Sequence, residues 1–253
     1  MVKRLPLALP PVAWHNAPKQ RSDAMQHTTR LRKKVARLDQ LLEQTYGKRR
    51  LRKRGNPLDE LILTILSQNT SDRNSHRAYE AMRAAFPTWE DVLDAPRPKL
   101  EAALRPGGLA RTKSARIQAI LRSIAAHGPL NLDHLHDLPD AEVERTLLGY
   151  DGVGYKTARC VLLFALGRDA FPVDTHIHRV LTRLGVVPEG ASADKAHEIV
   201  PPLIPKGRCY PFHVNLIAHG RAVCHPRNPE CSTCPLRRLC AYAKRSPSAP
   251  SPE

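Results

Sequence analysis

Apolar residues recur along this chain at the three-and-four spacing of one helix face, not at the alternate positions of a half-buried strand. Leu31, Val35, Leu38, Leu41 and Leu42 form one stripe. Leu58, Leu61, Ile62, Ile65 and Leu66 form another that is apolar nearly all round, which predicts a central helix. The series continues through Ala78 to Phe86, Trp89 to Leu93, Ile117 to Ile124, Val143 to Leu148, Thr157 to Leu166, Ile177 to Leu184, Ala196 to Ile204 and Phe212 to Ile217. Asn56-Pro57, Pro106-Gly107-Gly108, Gly128-Pro129, Gly167 and Gly190 punctuate these runs. The pattern predicts an all-α fold of roughly ten helices. Residues 1–28 are Pro-rich, basic and without periodicity, and are expected to form a flexible basic tail. Residues 242–253, Ser/Pro-rich from Arg245, are expected to be a disordered tail.

Composition narrows the partners. The 253 residues carry 40 Lys and Arg against 24 Asp and Glu, a net charge of +16. Such a bias suits a polyanion: DNA, RNA or an anionic membrane surface. No stretch is long and apolar enough to span a bilayer. Lys3 and Arg4 precede a short apolar run, but Pro6, Pro10 and Pro11 break it, which argues against a secretion signal. A cytoplasmic protein is expected, nucleoid-associated if bacterial. Aromatic content is only 5%, so Leu, Ile, Val and Ala must fill the core.

Cys224, Cys231, Cys234 and Cys240 follow the spacing C-x6-C-x2-C-x5-C. Clustered thiols without a secretion signal read as metal ligands, not disulfides. Four thiolates suit a zinc ion or an iron–sulfur cluster, and the spacing leaves both open. The loop between the first two carries His225 and Arg227, and Arg237 and Arg238 precede the last, so a basic loop would face phosphates.

In LLGYDGVGYKTARCVLLFALG one helix ends near Gly149-Tyr150, a tight turn follows, and a second helix begins near Tyr155. The glycines of Gly152-Val153-Gly154 permit positive φ and close backbone approach to a ligand. N–H groups at the start of the second helix suit a phosphate. Lys156 lies in that first turn, where a cation opposes the helix macrodipole by about 0.3–1 kcal/mol. The same field favours the neutral amine needed to attack a sugar carbon. Eighteen residues later Asp174 stands before a helix in FPVDTHIHRV, a good N-cap that would also accept a proton from Lys156 if the fold brought it in front of the amine. His176 and His178 are weaker candidates.

GVGYKTA, then VDTHIHRV, then the cysteine spacing after HGR, in this order, resemble endonuclease III of the helix-hairpin-helix base-excision glycosylases. The resemblance covers about residues 30–241. It implies two helical domains with the active site in the cleft between them. Residues 58–168 would form a six-helix barrel carrying the hairpin; residues 29–57 and 169–241 would form the cluster domain. It implies a bifunctional DNA glycosylase and AP lyase, acting as a monomer on oxidised pyrimidines in double-stranded DNA and flipping the damaged base out of the stack. Lys156 would be the Schiff-base nucleophile and Asp174 its assistant. The four cysteines would hold a [4Fe-4S] cluster. The family's void-filling Gln falls at Asn69, beside Gln68, and its intercalating Leu at Leu109. Gly152, Val153, Gly154, Arg227 and His176 complete the expected DNA contacts. The chain departs from the family at Tyr150-Asp151, where Leu-Pro is usual, at Asn69, and at Asn228 and Glu230 in the cluster loop. A monofunctional mismatch or adenine glycosylase would lack a lysine at position 156, and a non-catalytic zinc-stapled DNA-binding module would have no need of the Lys156/Asp174 pair.

Overall fold

The computed structural model describes residues 17–51 and 54–245, and every regular element among them is helical. Helix α1 (Ala17–Tyr46) begins inside the stretch expected to be a flexible tail. The expectation fails there for a local reason. Pro18 sits in the first turn, where its missing N–H costs nothing, and nothing after it breaks a helix. Ser22, Asp23, Met25 and Gln26 are exposed, so periodicity had no buried face to detect. Residues 1–16 and 246–253 lie outside the described part.

Helix α2 (Pro57–Leu66) starts where Asn56-Pro57 predicts: the Asn56 side chain accepts from the Leu58 and Asp59 amides. Helices α3 (Asp72–Ala85) and α4 (Trp89–Asp94) are capped by Ser71 and Thr88, the latter with Asp91 in a reciprocal capping box. Helix α5 (Arg97–Leu104), which the apolar pattern does not mark, packs against α3 and the long α6 (Ala110–Ala125). Helix α7 (Asp140–Leu148), the hairpin turn and α8 (Tyr155–Cys160) follow. Residues Val161–Ala165 continue α8 with a wider π winding, in which the Leu166 amide donates to the Val161 carbonyl at 3.0 Å. Then come α9 (Thr175–Leu184), α10 (Ala193–Ile199), α11 (Cys209–Ala222) and α12 (Ala241–Arg245), the last overlapping the start of the expected C-terminal tail. Helix α10 stops short of the predicted Ile204 because Pro201 and Pro202 cannot continue it.

Two apolar cores result. The first joins α2 to α8 and includes Leu61, Ile62, Ile65, Met82, Leu121 and Leu147. The second joins α1 to the C-terminal helices through Val35, Leu38, Leu42, Ile177, Leu181 and Phe212. Each fully buried Leu or Ile contributes roughly 1.5–3 kcal/mol of transfer free energy. The π segment is common to both: Val161, Leu162 and Ala165 pack in the first core, Leu163 in the second. Arg208 ties the two ends of the second core together, pairing with Asp39 at 2.6 Å and with Glu43, both on α1. No helix among the described residues is long and apolar enough to cross a membrane.

Candidate active site

Because the α8–π helix serves both cores, its N-terminal turn stands at their boundary. Lys156 opens there into a cleft of about 430 Å³ shared with Asp174, Glu60, Thr64, Cys160, His213 and Arg221. A contiguous cleft of about 520 Å³ is lined by Lys156 and Asp174 again, with Gln68, Asn69, His176 and His178. The two residues singled out eighteen positions apart thus face the same space from different elements. Asp174 also caps α9, its Oδ1 accepting from the Ile177 amide at 2.7 Å. The segment before it is pinned by buried His197, whose Nε2 accepts from the Val173 amide at 2.9 Å. His213, equally buried, bonds the Pro172 carbonyl through Nδ1 at 3.0 Å. Burial pushes both imidazoles down to about 4, so they stand neutral at physiological pH.

Glu60 is the cleft residue that apolar periodicity does not disclose. It projects from the otherwise buried helix α2, and Thr64 Oγ1 donates to its Oε1 at 3.1 Å. Burial pushes its carboxyl up to about 7, against the opposing effects of the Thr64 bond, Lys156 and His76. Cys160, one turn after Lys156, is buried and its thiol is pushed up to about 11, with Lys156 as the main opposing charge. Across the cleft mouth, Arg221 of α11 pairs with Asp72 of α3 at 2.7 Å. The pair is exposed, and such pairs are worth about 0–1 kcal/mol.

The expected DNA contacts divide into struts and tips. Gln68 is a strut: its Oε1 accepts from Arg116 at 2.9 Å and its Nε2 donates to the Gly152 carbonyl at 3.2 Å. Asn69 beside it is exposed with φ +53°. Leu109 is a tip, 55% exposed at φ +50° ahead of α6. In the hairpin, Gly152 has φ +73° and Arg116 packed against its Cα, while Gly154 faces open space. Val153 points inward: its side chain is buried in the first core and its amide donates to the Tyr150 carbonyl at 3.1 Å. Any contact Val153 makes with a ligand is therefore not through its side chain. His176 packs under Gly220 and bonds Arg179, and Arg227 is exposed on its loop.

All six cysteines are unpaired, and Cys224, Cys231, Cys234 and Cys240 line one cavity with Arg183, His219 and Arg237. Arg183 holds the loop by donating to the His225 carbonyl at 2.6 Å and the Pro226 carbonyl at 2.9 Å, and Arg179 donates to the Cys224 carbonyl at 3.1 Å. Among the described residues, no three His, Cys, Asp or Glu side chains converge closely enough to hold a single metal ion. Burial, and then the neighbouring thiols, push Cys231 up and Cys234 up to about 11. Without a metal these two thiols stand protonated; deprotonated, the four cysteines form a donor set that fits a thiolate-ligated metal group.

A sequence profile described as HhH-GPD superfamily base excision DNA repair protein matches residues 62–206. A protein of Arabidopsis thaliana named as a DNA glycosylase is 40% identical over 165 residues, covering 65% of this chain and 56% of that protein. Endonuclease III of Thermotoga maritima is 32% identical over 193 residues, covering 76% of this chain and 86% of the relative. A solved non-covalent endonuclease III–DNA complex superposes with a TM-score of 0.72 at 27% identity, covering 85% of this chain and 97% of the other. The profile spans more than half of the 253 residues, and the chain belongs to the HhH-GPD superfamily of base excision DNA repair proteins.

Proposed function

We propose that this DNA glycosylase is bifunctional, removing oxidised pyrimidines from duplex DNA and then cleaving the strand at the resulting abasic site. The observation that carries the reading is the convergence of Lys156 and Asp174 in one cleft at the boundary of the two cores. The neutral Lys156 amine attacks C1′ as the N-glycosidic bond breaks, and that electron pair leaves with the base, which is protonated. Asp174 assists the attack by stabilising the positive charge on the sugar, and a base in the cleft takes the proton that the nitrogen sheds. Opening of the sugar gives a Schiff base, and loss of a C2′ proton expels the 3′ phosphate.

In this reading the first core is the barrel domain and the second the cluster domain, and the protein acts as a monomer. Duplex DNA lies across the cleft mouth, with Leu109 and Asn69 at the site the flipped base vacates and the hairpin Gly152–Gly154 and Arg227 on phosphates. A solved structure of the same fold holds DNA, which supports duplex DNA as the partner. Cys224, Cys231, Cys234 and Cys240 would hold a [4Fe-4S] cluster, which when bound cross-links the loop and takes no part in bond breaking at C1′. Arg179 and Arg183 fix that loop from α9.

Borohydride trapping on duplex DNA carrying an abasic site or thymine glycol tests the assignment. Wild type is expected to form a covalent adduct and Lys156→Ala none. Equal trapping by the two removes Lys156 as the nucleophile.

A further inference from the structure

We propose that Glu60 is an acid–base catalyst beside the Lys156 amine, its carboxylate taking up the protons that Lys156 sheds as it forms the covalent adduct and passing them to the departing oxygen. The proposal rests on Lys156 being the nucleophile.

A glutamate is costly on this helix. Helix α2 buries Leu58, Leu61, Ile62, Ile65 and Leu66 on its packed sides. Glu60, Leu63 and Thr64 of the same helix, with its C-cap Ser67, line the cleft that holds Lys156. Helix α2 packs directly on α8, which carries Lys156. The Thr64 hydroxyl fixes the Glu60 carboxyl within the cleft, and Cys160 feels the charges of both Glu60 and Lys156, so the three groups are neighbours. A half-buried carboxyl with one hydroxyl partner is poorly solvated unless a cation faces it. From α8 that cation is Lys156, and from α3 it is His76 when protonated. Tyr79 of α3 shares a hydrogen bond with Asp59 of α2, and the Glu60 charge reaches it as well. From the second core Asp174, His213 and Arg221 line the same cleft. A carboxyl held near neutrality by burial exchanges protons with an amine at the pH where the amine must react.

The steps balance on an abasic-site aldehyde. One proton passes from the Lys156 ammonium to Glu60, and the freed electron pair forms the N–C1′ bond. The C=O π pair moves to oxygen, which takes that proton. A second proton leaves nitrogen for Glu60 and passes to the hydroxyl, which departs as water. The iminium remains, and Glu60 is again ionised. Asp174, committed through Oδ1 to the α9 cap, faces the developing positive charge.

The test is the pH profile of single-turnover borohydride trapping on abasic-site duplex, from about pH 5.5 to about pH 9, for wild type, Glu60→Gln, Thr64→Val and Lys156→Ala. Wild type is expected to rise through neutrality and level off as Glu60 ionises. Glu60→Gln should lose the plateau, keep climbing with pH, and be slower at neutral pH by about tenfold to a hundredfold. Thr64→Val keeps the carboxyl but removes the bond that favours its ionised form, so its acid limb should move to higher pH. If Lys156→Ala traps like wild type, the nucleophile assignment falls. If Lys156→Ala is silent while Glu60→Gln keeps the wild-type profile, the role of Glu60 alone is overturned. Should Glu60→Gln fail to fold, an acid limb in Thr64→Val identical to wild type overturns it equally.

Discussion

The Lys113 ammonium, on a residue only 2% exposed, donates to the Leu66 carbonyl at 2.7 Å and to the Gly107 carbonyl at 2.8 Å. One buried cation therefore ties the C-terminal end of α2, which leads to Gln68 and Asn69, to the glycine turn that presents Leu109. These are the two loops assigned to the face of the DNA gap, and neither has a strand or disulfide to hold it.

Replacing Lys113 by Met keeps the stem and removes the donor, leaving two buried carbonyls short of a partner. A loss of about 2–4 kcal/mol is expected from urea unfolding. Abasic-site duplex binding measured well below the melting transition should weaken as well, because the loops lose their register. An unchanged unfolding midpoint would show that the two carbonyls find other donors.

Gly152 is required by conformation and by space together. Its φ is +73°, and a Cβ there would stand 1.8 Å from Arg116 Nε. Gly152→Ala costs about 1–2 kcal/mol for the left-handed backbone and displaces Arg116 from Gln68. The expected result is a lower melting temperature with a larger proportional loss of DNA affinity. Gly154→Ala, whose Cβ meets nothing within 4 Å, should leave stability near wild type. Equal destabilisation by both substitutions would refute the steric account.

Leu109 should behave as a tip rather than a core residue. At 55% exposure Leu109→Ala is expected to change stability by less than about 0.5 kcal/mol. Leu109→Gly should gain up to about 1 kcal/mol by relieving the positive φ. Both variants should excise lesions from duplex more slowly while keeping activity on a single-stranded abasic site, which has no stack to hold open. Wild-type turnover on duplex by either would exclude Leu109 as the wedge.

How much of this was legible beforehand follows from the range of each interaction. The hairpin, the Asp174 cap and the second-helix start at Asn56-Pro57 are written in neighbouring residues, and local chemistry places them. The first turns of α1 escaped because Ser22, Asp23, Met25 and Gln26 are exposed, and α5 because its eight residues bury only Leu100 and Leu104. Glu60, Lys113 and the Arg221–Asp72 pair escaped for a different reason. Each is an ordinary helix-surface residue type in sequence, and its role appears only when α2, α6, α8 and α11 are brought together. Gln68 and Val153 were placed near DNA by position; packing makes the first a strut and turns the second inward.

Metal content separates the two thiolate chemistries. Anaerobically prepared protein is expected to be yellow-brown with iron and acid-labile sulfide near four of each per chain. Cys234→Ser should lose the colour and much of the folded yield, since Leu236 and Cys240 of the same loop pack in the second core. Colourless protein with stoichiometric zinc would replace the iron–sulfur assignment and leave the Lys156 chemistry untouched.

His197 makes the active-site wall acid-sensitive. Its Nδ1 bonds the Ala193 carbonyl at 2.9 Å, and its Nε2 accepts from the Val173 amide, so the ring is held as the Nδ1–H tautomer. Protonating Nε2 would set two N–H donors against each other beside Arg159. Burial, and then the Arg159 charge, push the imidazole from 6.5 down to about 4. The unfolded chain therefore binds this proton first as pH falls. The stabilisation is fully present above about pH 6.5 and is lost between there and about pH 4, amounting to about 3 kcal/mol for this one residue. Thermal melts across that window should show a steep acid decline in wild type and a shallower one in His197→Asn, whose side-chain oxygen can still accept from Val173. Because Val173 precedes Asp174, excision should fall with acid faster in wild type than in the variant once the Glu60 limb is factored out. Parallel declines in both would show that other buried groups, His213 and His219 foremost, carry the acid sensitivity.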